Sequence, residues 1–237
     1  MNEFIKSGKY KILSGSALKM IALVCMIIDH IAYFFSYGSD ITIISVGTYT
    51  LSLYRLMRSI GRLSFPIYCF LIVEGFLHTR DRKKYLIRLF VFAVISEIPW
   101  DLAHALKFPN SGLNVFFTLF LGCFALMVIE QFKENRTYQI IGLVALLIVS
   151  SLLKADYGLR GFCLIVMIYA LREQKLLQAV VACGLLSSTF RGALAFIPIN
   201  MYNGKRGFIN NKPTQIAFYA FYPLHLLVIY LIKLQLT

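Results

Sequence analysis

Apolar residues run in long blocks along this chain, and short polar breaks rich in Lys and Arg separate them. A helix needs roughly 20 mostly apolar residues to cross the hydrocarbon core of a bilayer. On that criterion the first span covers residues 17–35. A weakly polar connection with few charges follows over 36–54, suited in part to the membrane interface. The second span, 56–77, contains Pro66, a cause of kinks. The third, fourth and fifth cover 85–106, 113–132 and 138–153. The sixth, 159–171, is short for a full crossing and is read as tilted or partly re-entrant. The seventh covers 176–199 and the eighth 214–232. The prediction is an all-α polytopic integral membrane bundle of about eight transmembrane helices, in one domain over residues 1–237. No disordered run, fixed-period repeat or inverted repeat stands out.

Composition agrees with this reading. Of the 237 residues 59% are hydrophobic and only 15% charged, whereas a soluble domain has about 25% charged residues. Mean hydropathy is +0.72. The net charge of +13 would suggest a nucleic-acid partner in a soluble protein. Here the basic residues sit mostly in short loops, where they set orientation and meet anionic headgroups, and no nucleic-acid binding is expected. With the N-terminus inside, the cytoplasmic loops hold Arg80, Arg82, Lys83 and Lys84, then Lys133 and Arg136, then Arg172 and Lys175. The opposite loops hold Lys107, Lys154, and then Lys205, Arg206 and Lys212. That asymmetry predicts both termini in the cytoplasm, with the basic 202–207 loop as the exception that needs explaining. The first span follows Lys6, Lys9 and Lys11, as in a signal peptide, but Asp29 and His30 interrupt it and it lacks an A-x-A cleavage site. It is read as retained. The five cysteines lie singly in apolar segments, without metal or redox spacing.

Ionisable residues inside spans are costly and mark functional interiors. Asp29 and His30 are adjacent in the first span, and Lys19 shares a helix face with His30, about 16 Å away along the axis. Histidine is a general base near neutral pH. Adjacent helix positions do not face one another, so Asp29 is expected to partner another helix, such as Arg62. Glu97, Asp101 and His104 share one face of the third span. Either they line a polar cleft or they lock to Arg62, Arg160 or Arg191 and hold the bundle together. Arg55, Arg58 and Arg62 share a face of the second span, and Glu74 and His78 another. Asn114 and Thr118 read as interhelical hydrogen-bonding glue, Asp156 and Arg160 as a local salt bridge. His225, after Phe221-Tyr222-Pro223, is a packing residue or a site residue. No nucleophile elbow, P-loop or zinc motif is present. An enzyme acting at the membrane and a transporter both fit a polar cavity in such a bundle.

Several blocks together resemble the TraX family. They are Leu18-Lys19-Met20-Ile21-Ala22 with Met26-Ile27-Ile28-Asp29-His30, Ile60-Gly61-Arg62-Leu63-Ser64-Phe65-Pro66, and Glu74-Gly75-Phe76 with His78-Thr79-Arg80. They continue in Lys84-Tyr85, Arg88-Leu89, Ser96-Glu97-Ile98-Pro99-Trp100-Asp101, Asn114-Val115 with Thr118, and Asp156-Tyr157-Gly158. The last are Tyr202-Asn203-Gly204-Lys205-Arg206-Gly207 and Phe221-Tyr222-Pro223-Leu224-His225. The resemblance spans nearly the whole chain. That family is linked to N-terminal acetylation of conjugative pilin and is similar to other multi-spanning acyltransferases that use acetyl-CoA.

The resemblance implies a multi-pass protein of a bacterial-type cell membrane that moves acetyl from cytoplasmic acetyl-CoA to an amine or hydroxyl. The acceptor would be a protein N-terminus, a lipid or a cell-envelope glycan. Under it, His30, Asp29, Glu97 and Arg62 are the catalytic candidates, with His30 as base or acetyl carrier and Arg62 as oxyanion donor. Lys19, Arg80, Lys83, Lys84 and Arg88 are the candidates for holding CoA. Asp101, Tyr202, Asn203, Lys205, Arg206 and His225 are the candidates for holding the acceptor. No metal is implied. The rival reading is a small proton-coupled transporter using Glu97, Asp101 and His104 as a relay.

Overall fold

The computed structural model describes residues 10–35, 41–46, 49–105, 108, 112–186 and 190–236. The chain divides into two compact units: Met1–Leu71 with Gln174–Asn210, and Ile72–Glu173 with Asn211–Thr237.

In the first unit, α1 (Gly15–Phe35) starts where Ser14 caps it. The Ser14 hydroxyl accepts the Ala17 N–H at 3.2 Å and its carbonyl accepts the Leu18 N–H at 3.0 Å. Leu18, Ala22 and Ala32 of α1 are fully buried, whereas Met20, Val24 and Ile31 stay exposed, as on a helix with one face in protein and one in lipid. The connection after α1 contains an antiparallel hairpin, β1 (Thr42–Val46) and β2 (Tyr49–Ser52), with an irregularity between Thr42 and Ile44. The sequence, rich in β-branched residues, supports strands here. Ser52 then caps α2 (Leu53–Gly61) by accepting the Arg55 N–H.

After a turn at Arg62 and Leu63, α3 (Ser64–His78) continues and enters the second unit at Ile72. Pro66 explains the turn: it has no N–H to offer the Arg62 carbonyl, so the helical ladder lapses there. The Ser64 hydroxyl donates to the Ala22 carbonyl at 2.8 Å and ties α3 to α1.

The predicted seventh span is not one helix. α8 (Lys175–Leu185) stops at Leu186, and the described residues beyond it form only α9 (Phe190–Ala193) and α10 (Phe196–Asn200). Pro198 contributes to the break: it cannot donate to the Leu194 carbonyl, which accepts from Ile197 instead. The chain then returns to the start of α1. Leu13 donates to Met201 O, Asn203 to Leu13 O, Gly15 to Lys205 O and Ser16 to Arg206 O, at 2.8–2.9 Å. The fully buried Ser16 hydroxyl donates to Arg206 O and accepts from Ile209 N. Gly207 is required at this lace: its φ is +82°, and a Cβ there would meet Ser14 and Ser16. The basic 202–207 loop was expected on the side opposite the N-terminus. It lies instead against the N-terminal end of α1, which corrects that placement.

The second unit contains α4 (Arg82–Ala105), α5 (Val115–Gln131), α6 (Arg136–Leu152), α7 (Gly158–Ala170) and α11 (Lys212–Leu236). α5 packs against α4, α6 and α7, and α11 packs on α4. Glycines allow close approach, Gly122 against Ile165 and Gly142 against Val128. α4 begins at Asp81, whose carboxylate accepts the Lys84 N–H at 2.9 Å. That N–H and the Lys84 ammonium hold the Asp81 carboxyl below its ordinary value. A depressed folded value stabilises the fold above the unfolded pKa and is lost as pH falls through the folded one. Asp81→Ala is therefore expected to lower the thermal midpoint at neutral pH, and the difference from wild type should vanish as pH drops below 3.8 toward the folded value. Thermal scans in detergent across pH check this.

α4 and α11 run parallel. Tyr219 of α11 stacks on Phe92 at 5.2 Å and lies under Arg88, while fourteen residues later Lys233 donates to the Ala103 carbonyl at 2.7 Å. The 80–84 loop and the last turn of α11 therefore sit at opposite ends of this unit. The predicted orientation, with that loop and the C-terminus on the same side, is corrected by this pairing. Among the described residues, α1 (Gly15–Phe35), the consecutive α2 and α3 (Leu53–His78) and α11 (Lys212–Leu236) are long and apolar enough to cross a membrane, and there are shorter apolar helices besides. These are the helices of a membrane protein.

Candidate functional site

The first unit gathers charge around the C-terminal half of α1. Arg58 Nη1 lies 2.5 Å from Asp29 Oδ2, with side chains only 19% and 16% exposed. The guanidinium also stands over the Tyr33 ring at 5.2 Å. Arg62 lies within coulombic range of the same carboxylate. Asp29 thus meets Arg58 directly, with Arg62 close by. Its other oxygen, Oδ1, is buried and has no hydrogen-bond partner among the described residues. Gly61 makes the pairing possible, because a Cβ at that position would collide with the Asp29 carboxylate. His30, the next residue of α1, is half-buried, and its ring meets Phe34 edge-on at 5.8 Å. Lys19 is on the same helix, three turns nearer its start.

The charge arrangement is local and physical in origin. Successive helix positions turn about 100° apart, so Asp29 faces α2 while His30 faces elsewhere. A carboxylate in an apolar helix needs a cation, and Arg58 provides it with a short charge-assisted bond. The result is a compensated anion with a second guanidinium nearby, next to a titratable imidazole.

Glu97, Asp101, His104 and His225 belong to the second unit. Glu97 is held by Asn114 and not by an arginine. Its Oε2 accepts the Asn114 N–H at 3.1 Å and the side-chain Nδ2 at 2.5 Å. Asn114 is fully buried, donates also to the Ala93 carbonyl at 2.8 Å, and caps α5 by accepting the Phe116 N–H at 3.0 Å. Glu97 and Asn114 together clamp α4 to the start of α5. Next to them the Thr118 hydroxyl donates to the Asp156 carbonyl, which fixes the turn before α7. Asn114→Ala removes three side-chain bonds, one of them the helix cap, and is expected to destabilise the protein by about 2–4 kcal/mol. Unfolding in detergent checks this, with Glu97→Gln expected to cost less because its amide keeps an acceptor.

Asp101 is buried. The His104 ring lies 3.8 Å from that of Trp100, with Nδ1 at 2.9 Å from the Trp100 carbonyl. His225 stacks on Phe221 at 5.3 Å, with Nδ1 at 3.0 Å from the Phe221 carbonyl. Of the predicted acceptor loop, Tyr202 meets Phe70 edge-on at 5.4 Å and Asn203 braces the turn by accepting the Lys205 N–H. The Lys205 and Arg206 side chains are exposed, and their carbonyls are committed to α1. The side chain of Arg191 lies outside the described residues.

Of the basic group expected to meet CoA, Arg80, Lys83 and Lys84 are exposed, and Lys84 pairs with Asp81 at 3.2 Å. Arg82 is a structural residue: it pairs with Glu130 at 3.2 Å and covers the Phe76 ring at 4.6 Å. The Tyr169 hydroxyl also donates to Glu130. Arg88 lies between the rings of Tyr85 and Tyr219, 5.4 Å from each. The sequence argument missed Arg58 as a site residue, and also Gly61, while its reading of Asn114 as interhelical glue holds. Arg58 carried a signal in its i, i+4 spacing with Arg62. Gly61 carried none except its place beside that arginine.

The family described as TraX protein matches residues 14–233. A relative described as "Probable fimbrial assembly protein FimC, serogroup H1", from Dichelobacter nodosus, is 30% identical over 243 residues, covering 90% of this chain and 93% of the relative. No solved structure matches the chain. The family match takes in both units, with the Asp29 cluster and the Asn114 clamp inside it, and this chain belongs to the TraX family.

Proposed function

We propose that the protein is a membrane acetyltransferase whose reaction centres on His30 of the first unit. One observation carries this reading: an imidazole stands in an apolar helix next to a charge-compensated Asp29, Arg58 and Arg62 cluster, in a family linked to pilin modification. His30 takes the proton from an acceptor amine as its nitrogen attacks the thioester carbonyl of acetyl-CoA. Arg62 faces the oxyanion of the tetrahedral intermediate. That attack forms the N–C bond; collapse of the intermediate then re-forms the carbonyl, breaks the C–S bond, and the proton passes from His30 to the departing CoA thiolate. Arg58 neutralises Asp29, which keeps that carboxylate from opposing the oxyanion. The relative's description as a fimbrial assembly protein supports a pilin-type N-terminal amine as the acceptor class. The orientation that fits has the 80–84 loop in the cytoplasm, where the donor is.

A proton relay through Glu97 and His104 has less support, because Glu97 is held in the Asn114 clamp and His104 stacks on Trp100. The test is acetyl-CoA binding to the purified protein in detergent. Saturable binding is the expected result. A folded sample that binds no acetyl-CoA, but moves protons or solutes in vesicles under a pH gradient, would replace this reading with the transporter.

A further inference from the structure

Arg88 is a cation inside the second unit whose compensation is not explained by its neighbours. It lies six residues into α4, about 9 Å along the axis from Arg82. Its guanidinium does not extend away from the bundle: it sits between Tyr85, 5% exposed, and Tyr219, with the rings 5.4 Å away on either side. The Tyr85 and Tyr219 hydroxyls hydrogen-bond each other, and Tyr219 also bonds Arg88. Gly75 of α3 leaves the space that the Tyr85 hydroxyl fills, since a Cβ there would lie 2.5 Å from that oxygen. The two tyrosines therefore form a fixed holder. Among the described residues no carboxylate makes an ion pair with Arg88, and its buried Nε has no hydrogen-bond partner. Arg82 pairs with Glu130, and Arg172 with Glu173, both nearer the helix ends than Arg88.

A guanidinium packed between buried and half-buried rings, with no carboxylate beside it, favours an anion that can meet it. Its planar fork suits the oxygens of a phosphate group, two at a time. We infer that Arg88, held between Tyr85 and Tyr219, is the receptor for a phosphate group of a bound ligand. Two sources carry that chemistry, the phosphates of CoA and the headgroup of a phospholipid. The CoA source rests on the acetyltransferase reading, and the lipid source does not.

The experiment uses the full chain, as wild type, Arg88→Gln and Lys83→Gln, the last because Lys83 is exposed on the same helix. CoA affinity is measured in detergent, and retention of phosphatidylglycerol is measured by native mass spectrometry. If CoA is the ligand, Arg88→Gln weakens it by about tenfold or more, Lys83→Gln by less than about twofold. If a lipid is the ligand, the wild type retains phosphatidylglycerol, Arg88→Gln loses it, and CoA affinity does not move. A wild type that binds no CoA but loses lipid on Arg88→Gln keeps this inference and removes the acetyltransferase reading. Unchanged CoA affinity together with unchanged lipid retention in Arg88→Gln overturns the inference. Tyr219→Phe, which removes the hydroxyl bonded to Arg88 but keeps the ring, gives the same comparison should Arg88→Gln fail to fold.

Discussion

Replacing His30 with alanine is expected to leave the protein folded and to reduce acetyl transfer by about 10²–10⁴-fold, the range that general acid–base catalysis supplies. The two halves of that expectation have separate grounds. The imidazole is half-buried, on a helix whose packing against its unit is carried by Leu18, Ala22 and Ala32. Its removal therefore takes little from the core. Chemically, no described carboxylate has taken over its role: the neighbouring Asp29 is turned to Arg58. The thermal midpoint of the variant should stay near that of wild type while the rate collapses. A variant that unfolds would mark His30 as a structural residue, and one that keeps full activity would remove it from the mechanism. His30→Gln, which retains hydrogen bonding but not basicity at neutral pH, should be as inactive as the alanine.

Arg58→Ala should have the second largest effect, on stability and activity together. The pair it breaks is short and mostly buried, and the carboxylate left behind would face apolar surroundings with only Arg62 near it. Breaking a fully buried pair from one side costs about 3–5 kcal/mol. At 16–19% side-chain exposure some screening remains, which reduces the expected loss to about 2–3 kcal/mol. Asp29→Asn in the Arg58→Ala background should recover much of it, because the stranded charge is gone. Activity should not recover, since Arg62 then loses the Asp29 charge beside its guanidinium. Gly61→Ala reaches the same pair from the other side by pushing on the Asp29 carboxylate. The double-variant cycle, read by unfolding in detergent, distinguishes charge compensation from simple loss of packing. Additive losses would contradict the pairing.

Hydropathy located the helices well because a crossing segment has to be apolar over its whole length. α1, α5, α6 and α7 lie within a few residues of their predicted bounds. The same reasoning failed at 176–199, where an apolar composition is shared by a continuous span and a broken one. Only the hydrogen bonds around Pro198 separate them. Hydropathy also says nothing of which ends meet, so the 202–207 loop on the start of α1 and the parallel pairing of α11 with α4 emerge only from packing. The hairpin at 42–52 was read only as a weakly polar connection, although Ile43, Ile44 and Thr50 favour strands.

At the site, the sequence singled out Asp29 and His30 because charge is rare in apolar helices. It could not choose among Arg55, Arg58 and Arg62, which share one helix face and differ only in height along it. It also read Glu97 as an ionised cleft residue or an arginine partner. The structure gives it to Asn114, which the sequence had read with Thr118 as interhelical hydrogen-bonding glue. That reading holds for Asn114; its pairing with Glu97 in particular was not legible, because a neutral partner leaves no charge pattern.

The central claim is that this membrane protein moves an acetyl group and that His30 is needed to do it. The most direct measurement places the purified protein in lipid vesicles with isotope-labelled acetyl-CoA and a short peptide bearing a free N-terminal amine. Free CoA thiol and acetylated peptide are then followed by mass spectrometry. Labelled acetyl appearing on the peptide in step with CoA release, in the wild type and not in a folded His30→Ala variant, is the predicted result. No label on the peptide and no acetyl-CoA binding by a folded wild-type sample, or equal labelling by the variant, would contradict it.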